Sequence, residues 1–290
     1  MTAYDLLIGP FAEFSFMRRA LAGCLALALG AGPIGVFLML RRMSLIGDAM
    51  AHAILPGAAV GYLVSGLSLG AMTLGGLAAG FTVAILAGVV ARNTTLREDT
   101  ALAAFYILSL AAGVTLLSAR GSNVDIFRVL FGSILGLDDS TLLLMTGATT
   151  ATLLALALLL RPLVVELVDP GFLAAQSGLG APVHLAFLGL VVLNLVAAFH
   201  AFGTLLAVGI LILPAATARL WTGNLSALLG LAIGVGFVSG AAGLLLSYHA
   251  ELASGPTIIL VAGAIYLVSL LFGRVGGLIR QFRPARHLEA

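Results

Sequence analysis

An aspartate and a histidine, Asp48 and His52, stand four residues apart in the otherwise apolar run RRMSLIGDAMAHAILPG, residues 41–57. On a helix, positions i and i+4 share one face, with Cβ atoms roughly 6 Å apart. A carboxylate oxygen and an imidazole nitrogen at that separation can hold one divalent metal ion between them. A plainer reading also exists: a capping or salt-bridged carboxylate beside a packed core histidine. The surroundings bear on the choice. Ionisable side chains inside a membrane are costly, face a pathway or an interface, and are functional candidates by default.

Those surroundings are a membrane. Of 290 residues, 61% are hydrophobic and 9% are charged, against about 25% charged in an ordinary soluble domain. The apolar runs are long and unbroken, which predicts an all-α, polytopic bundle and excludes the short alternating segments of a barrel. Glycine is abundant at 36 residues, and small residues let membrane helices approach closely. All 14 basic residues are arginine. With no lysine, the chain has no Walker-type phosphate loop. The charge of +2 gives no reason to expect nucleic acid as a partner. The single cysteine, Cys24, excludes an internal disulfide and disfavours a thiolate metal site. The N-terminal stretch lacks the pattern of a cleaved signal.

The elements that must position Asp48 and His52 follow from the apolar runs. Residues 1–15 read as interfacial, with Tyr4, Phe11, Phe14 and Phe16 suited to a membrane surface. Spans are predicted at about 17–40, 44–66, 69–91, 101–118, 140–160, 183–199, 203–220, 225–247 and 257–273. Gly32-Pro33 predicts a kink in the first. Thr95 to Glu98 has the form of a capping box. Residues 125–136 read as a short interfacial or re-entrant helix. Asp138 and Asp139 read as a cap on the fifth span. The longest polar interruption is 161–182. The whole chain, 1–290, reads as one transmembrane domain.

Arginine placement orients the bundle. If the 161–182 loop is cytoplasmic, Arg41, Arg42, Arg92, Arg97, Arg161, Arg219, Arg274, Arg280, Arg283 and Arg286 face the cytoplasm. Arg18, Arg19, Arg120 and Arg128 face outward. The expectation is an N-terminus outside and a C-terminus in the cytoplasm, with Arg18 and Arg19 the awkward members.

The run RRMSLIGDAMAHAILPGAAVG resembles the signature of the membrane permeases of ABC-type manganese/zinc/iron importers. REDTALAAFYILSLAAGVTLLS at 97–118 and DIFRVLFGSILGL at 125–137 resemble the same family. So do GTLLAVGILILPAATARL at 203–220 and LASGPTIILVAG at 252–263. The resemblance implies a permease subunit with no catalytic residues and no permanently bound cofactor, carrying Mn, Zn or Fe across a bacterial or archaeal plasma membrane. It implies three partners besides lipid: a second copy of the chain, a cytoplasmic ATP-hydrolysing subunit and an extracytoplasmic metal-binding protein. The 161–182 loop resembles the family's coupling segment, which docks into the ATPase. In VDPGFLAAQSG, Asp169 would cap a short helix, Pro170 would take its first turn, and Phe172 and Leu173 would supply an apolar anchor.

With that resemblance, the metal reading of Asp48 and His52 is preferred. Two donors are too few for a divalent ion, which wants at least about four. A two-fold homodimer would supply two carboxylates and two imidazoles, a mixed nitrogen and oxygen set suited to Mn²⁺, Fe²⁺ or Zn²⁺ and poorly suited to Cu⁺. His200, His249 and Glu251, near the outer ends of the sixth and eighth spans, are candidates for the metal pathway or a gate. His184 and His287 are expected to be incidental. A stand-alone secondary transporter or channel is the alternative. An intramembrane metalloprotease is disfavoured because the chain has no His-Glu-x-x-His motif. One difficulty is positional: a straight helix after Arg41 and Arg42 would hold Asp48 near the cytoplasmic face.

Overall fold

The computed structural model describes residues 3–66, 68–119, 136–169, 172 and 178–281. The 125–135 stretch, Pro170, Leu173, Arg120, Arg128, Arg283, Arg286 and His287 lie outside the described residues. Every described regular element is a helix. In lipid the backbone must satisfy its own hydrogen bonds, and a helix does so within one segment. Two short helices, α1 (Ala3–Leu7) and α2 (Gly9–Glu13), precede the long ones. These are α3 (Ser15–Leu40), α4 (Ser44–Ser65), α5 (Leu69–Asn93), α6 (Glu98–Ala119), α7 (Asp139–Val168), α8 (Gly180–Trp221), α9 (Leu225–Ala250) and α10 (Ser254–Phe272), followed by the single turn α11 (Leu278–Gln281). Helix α3 continues through Pro33 without a break.

Seven of these helices are long and apolar enough to cross a membrane. Helix α4, which carries Asp48 and His52, is not among the seven, yet it runs alongside α5, α6 and α8. Helix α8 has 42 residues and would reach roughly 63 Å if straight, twice a bilayer's hydrocarbon core. It breaks at Gly203, with φ 72° and ψ 175°, a conformation essentially reserved for glycine. Phe202 packs at the level of Gly23 on α3, whereas Asn194 before the break lies against Gly30 and Leu211 after it lies against Gly35. Both arms therefore run along α3 from the same end. Counting α4 and the two arms of α8, the described residues hold nine candidate crossings, in line with the eight or nine expected from the sequence.

The same packing fixes the direction of each helix. One end of the bundle, the Arg41 end, gathers the end of α3, the starts of α6 and α8, the end of α7 and the Trp221–Leu225 turn. The other, the Phe14 end, gathers Phe14, Tyr248 and the start of α3. The awkward arginines are accommodated at the Phe14 end. Arg18 donates to the carbonyls of Phe11 and Ala12 at the end of α2, and Arg19 pairs with Asp139 at 2.9 Å. Asp138 caps α7 as expected, accepting from the Thr141 amide at 3.0 Å. The bonds from Ser140 and Thr141 hold its carboxyl down at about 2.

Helix contact in a membrane rests on close approach and on interhelical hydrogen bonds rather than on the hydrophobic effect. Helices α4 and α5 touch backbone to backbone: a Cβ added at Gly57 would lie 2.0 Å from the Gly75 carbonyl oxygen, and one at Gly75 would lie 2.1 Å from that of Gly57. Across the bundle, Asn194 on α8 donates to Thr152 Oγ1 on α7 at 2.7 Å, and Thr149 donates to the Ala26 carbonyl on α3 at 2.9 Å.

Candidate metal pathway

The turn from α3 to α4 fixes where Asp48 and His52 lie. Arg42 adopts a left-handed conformation, φ 59°. The Arg42 amide donates to the Met39 carbonyl and the Met43 amide to that of Leu38. This is a Schellman closure with arginine at the position glycine usually takes. Helix α4 then starts at Ser44, and a rise of 1.5 Å per residue carries His52 roughly 12 Å along the axis. Ser109, midway along α6, donates to the Ala53 carbonyl at 3.2 Å. His52 thus sits level with the middle of α6. The positional difficulty applies only to Asp48, one turn nearer the Arg41 end.

The two side chains share a face, as their spacing requires. His52 Nε2 lies 3.7 Å from Asp48 Oδ1, beyond hydrogen-bonding distance. The side chains are 30% and 56% exposed. The His52 ring stacks on Tyr106 of α6, centroids 6.1 Å apart, and its Nδ1 is buried without a partner among the described residues. The carboxylate and imidazole are close and share a face, the carboxylate half open and the imidazole Nδ1 without a partner among the described residues. Among the described residues no three His, Cys, Asp or Glu side chains are placed to hold a metal ion together, so one chain supplies this face with two donors and no third.

The outer candidates do not form a cluster with the pair. His200 sits three residues before the Gly203 break. Its Nδ1–H donates to the Val196 carbonyl at 2.9 Å, which leaves Nε2 as an acceptor, buried and without a partner among the described residues. His249, at the end of α9, donates to the Leu6 carbonyl at 3.0 Å and so ties down α1. Glu251 caps α9 in a left-handed conformation, φ 53°, and is exposed. All three lie at the Phe14 end. At the opposite end Asp169 accepts from the Phe172 amide at 2.9 Å, the geometry of the expected cap, and Phe172 is 55% exposed.

The model of the ABC 3 transport family matches residues 13–273. The chain belongs to that family. This ABC 3 family chain is 33% identical over 280 residues to the manganese transport system membrane protein MntC of Halalkalibacterium halodurans, with 96% of the chain and 94% of the relative covered. It is 34% identical over 258 residues to the manganese import system permease protein ScaB of Streptococcus parasanguinis, covering 89% and 90%. Among solved structures it is similar to PsaBC from Streptococcus pneumoniae in complex with Fab. The TM-score is 0.83 and the identity 30%, over 97% of this chain and 99% of the other. As an ABC 3 family member the chain is the membrane permease subunit of an ABC transport system, and ATP hydrolysis belongs to a separate subunit.

Two expectations about this permease need correcting. Glu98 does not close a capping box with Thr95. Helix α6 begins at Glu98 itself, and the carboxylate lies 2.6 Å from His184 Nε2. A partner from another helix outcompetes the local backbone amide. His184 is accordingly not incidental: it also meets Arg41, which pairs with Glu166. The available signal was the arginine count, which puts all four ionisable groups at one end of the bundle. Tyr106, stacked on His52, carried no signal in the sequence.

Proposed function

We propose that this permease imports manganese, and that Asp48 and His52 from two copies of the chain form the transient site through which the ion passes. The observation that carries the reading is the half-site on α4. A carboxylate and an imidazole face the same way on a membrane helix, half open and uncommitted, with no third ligand among the described residues. A second α4 across a two-fold axis would bring the donors to four, an oxygen and nitrogen set that suits Mn²⁺ and also Fe²⁺ or Zn²⁺. Open donors also favour release, which a transport site needs as much as binding. The manganese relatives support the choice of ion.

In this reading the Phe14 end faces outward and receives metal from an extracytoplasmic binding protein. His200, with its free Nε2, and His249 and Glu251 line the approach. The Arg41 end faces the cytoplasm. Its arginines, Arg41, Arg42, Arg97, Arg219 and Arg274 among them, support that orientation. There the exposed Phe172, on a turn capped by Asp169, docks with Pro170 and Leu173 into the ATPase subunit. No observation favours a stand-alone transporter.

The test is competitive uptake of Mn, Zn and Fe in cells lacking their own high-affinity importers. The cells express the permease with its ATPase and binding protein. Asp48→Ala and His52→Ala are expected to cut manganese uptake by at least about tenfold to a hundredfold at unchanged membrane abundance. Uptake at the parent rate in both variants would sink the site, and preference for another ion would sink the choice of manganese.

A further inference from the structure

Four ionisable side chains that the metal site does not use meet at the Arg41 end. Arg41 Nη2 donates to Glu166 Oε2 at 2.5 Å, and Nη1 lies 3.0 Å from His184 Nδ1. His184 Nε2 lies 2.6 Å from Glu98 Oε1. A guanidinium only donates, so Nδ1 accepts and Nε2 carries the hydrogen that Glu98 receives. His184 is therefore held as one neutral tautomer, and the chain Glu166–Arg41–His184–Glu98 is ordered end to end. Glu166 Oε1 stands 3.7 Å from His184 Nδ1, and the Arg41 guanidinium lies over the Phe187 ring at 4.6 Å. The side chains are 7% exposed for Arg41, 13% for Glu166, 14% for His184 and 27% for Glu98.

The placement of this chain gives it a role. Glu166 lies three residues before Asp169, and His184 lies in the first turn and a half of α8. The two therefore bracket the segment that carries Phe172. Arg41 lies on the other side, at the end of α3, and the closed turn through Arg42 and Met43 joins it to α4. A half-open cavity of about 570 Å³ beside the cluster is lined by Glu98, Glu166, His184, Gly178, Gly180 and Leu185. Buried ion pairs are seldom the cheapest way to hold a fold, since apolar residues of similar size often do as well or better. What charge adds is commitment. Arg41 is a buried cation that cannot part from Glu166 and His184 without remaining unpaired in a low-dielectric interior.

We propose that Glu166, Arg41, His184 and Glu98 form a clasp that passes displacement of the facing ends of α7 and α8 to α4, and so to Asp48 and His52. The clasp rests on the reading of the Asp169–Phe172 turn as the ATPase contact. When the ends of α7 and α8 move, Glu166 and His184 carry Arg41 with them. The stiff α3–α4 turn transmits the shift, and the face bearing Asp48 and His52 moves with the helix. The four are positioning residues: none touches the transported ion.

The test uses the complete complex of permease, ATPase subunit and binding protein in proteoliposomes, with Mn²⁺ uptake and phosphate release measured on the same vesicles. Glu166→Gln is expected to raise the ATP hydrolysed per ion moved about tenfold, with hydrolysis itself held within about twofold. His184→Gln, whose amide can both accept from Arg41 and donate to Glu98, should keep the parent ratio. His184→Leu should raise it. This histidine pair decides the matter if Glu166→Gln does not assemble. Uptake and hydrolysis falling by the same factor, or a ratio unchanged in Glu166→Gln and His184→Leu, would overturn the clasp. Phe172→Ala separates the two readings. If it releases the ATPase subunit while the clasp variants stay coupled, the clasp alone fails. If it leaves the subunit bound and coupled, the ATPase contact is elsewhere and the clasp fails with it.

Discussion

The two charged regions of this permease treat their ionisable groups in opposite ways. At the Arg41 end the charged groups are paired at short range and shielded: 2.5 Å from Arg41 to Glu166, 2.6 Å from His184 to Glu98, with Arg41 only 7% exposed and its Nε alone left without a partner among the described residues. On α4, the Asp48 to His52 separation is 3.7 Å, the carboxylate is 56% exposed, and the His52 Nδ1 has no partner among the described residues. Both regions place ionisable groups against packed membrane helices, where each needs a reason. The two proposed roles account for the difference. A structural or coupling group keeps its charge paired, because an unpaired charge in a low-dielectric interior is expensive. A site that must take up and release an ion cannot saturate, because a ligand already committed has no lone pair to offer.

That contrast is open to measurement. Its sharpest form is thermal stability in detergent. Glu166→Gln leaves Arg41 buried and unpaired and is expected to lose about 3 kcal/mol. Arg41→Met/Glu166→Leu should lie closer to the parent than either single change. Asp48→Ala and His52→Ala, which break no saturated contact, should stay within about 0.5 kcal/mol of the parent. A larger loss in the α4 variants than in Glu166→Gln would reverse the comparison.

A second change tests whether α4 is held by packing rather than by its charges. In Gly57→Ala the new Cβ meets the Gly75 carbonyl oxygen at 2.0 Å. Backbone cannot yield as a side chain can, so α4 and α5 must separate, at a cost of about 1–3 kcal/mol. Manganese uptake should fall although neither charged region is touched. Unchanged uptake would mean that the α4 position tolerates more slack than the close crossing implies.

The smallest effect concerns Asp138, an exposed cap outside both regions. Its folded-state value of about 2 lies below the ordinary 3.8, so the ionised cap stabilises α7 fully above pH 3.8 and loses that contribution as the pH falls through about 2. The difference in melting temperature between the parent and Asp138→Ala should therefore shrink over that window. A gap that stayed constant down to pH 2 would remove the carboxylate charge from the account.

The membrane helices among the described residues were legible because membrane spans are local: an apolar run of sufficient length must become helix wherever it lies. The Asp48–His52 pair was legible for the same reason. Asp48 and His52 are one helical turn apart, and i,i+4 geometry needs no tertiary information. The Asp169 cap on Phe172 and the Asp138 cap on α7 belong to this class, since each bond spans three residues. The break in α8 was legible to within a few residues, because 42 residues of apolar helix exceed a bilayer and Gly203 is the residue able to take the turn.

The sequence by itself thus determined the helices, the family motifs and the open pair on α4. The folded chain decided how the remaining charges are used. Arg41 and Glu166 are 125 residues apart, Arg41 and His184 are 143 apart, and His184 and Glu98 are 86 apart. No pattern along the chain distinguishes four members of one buried network from four solvated residues at helix ends. Their pairing depends on which helices become neighbours. That in turn depends on the turn at Gly203 and on close crossings such as Gly57 with Gly75, where the absence of a side chain lets two backbones meet.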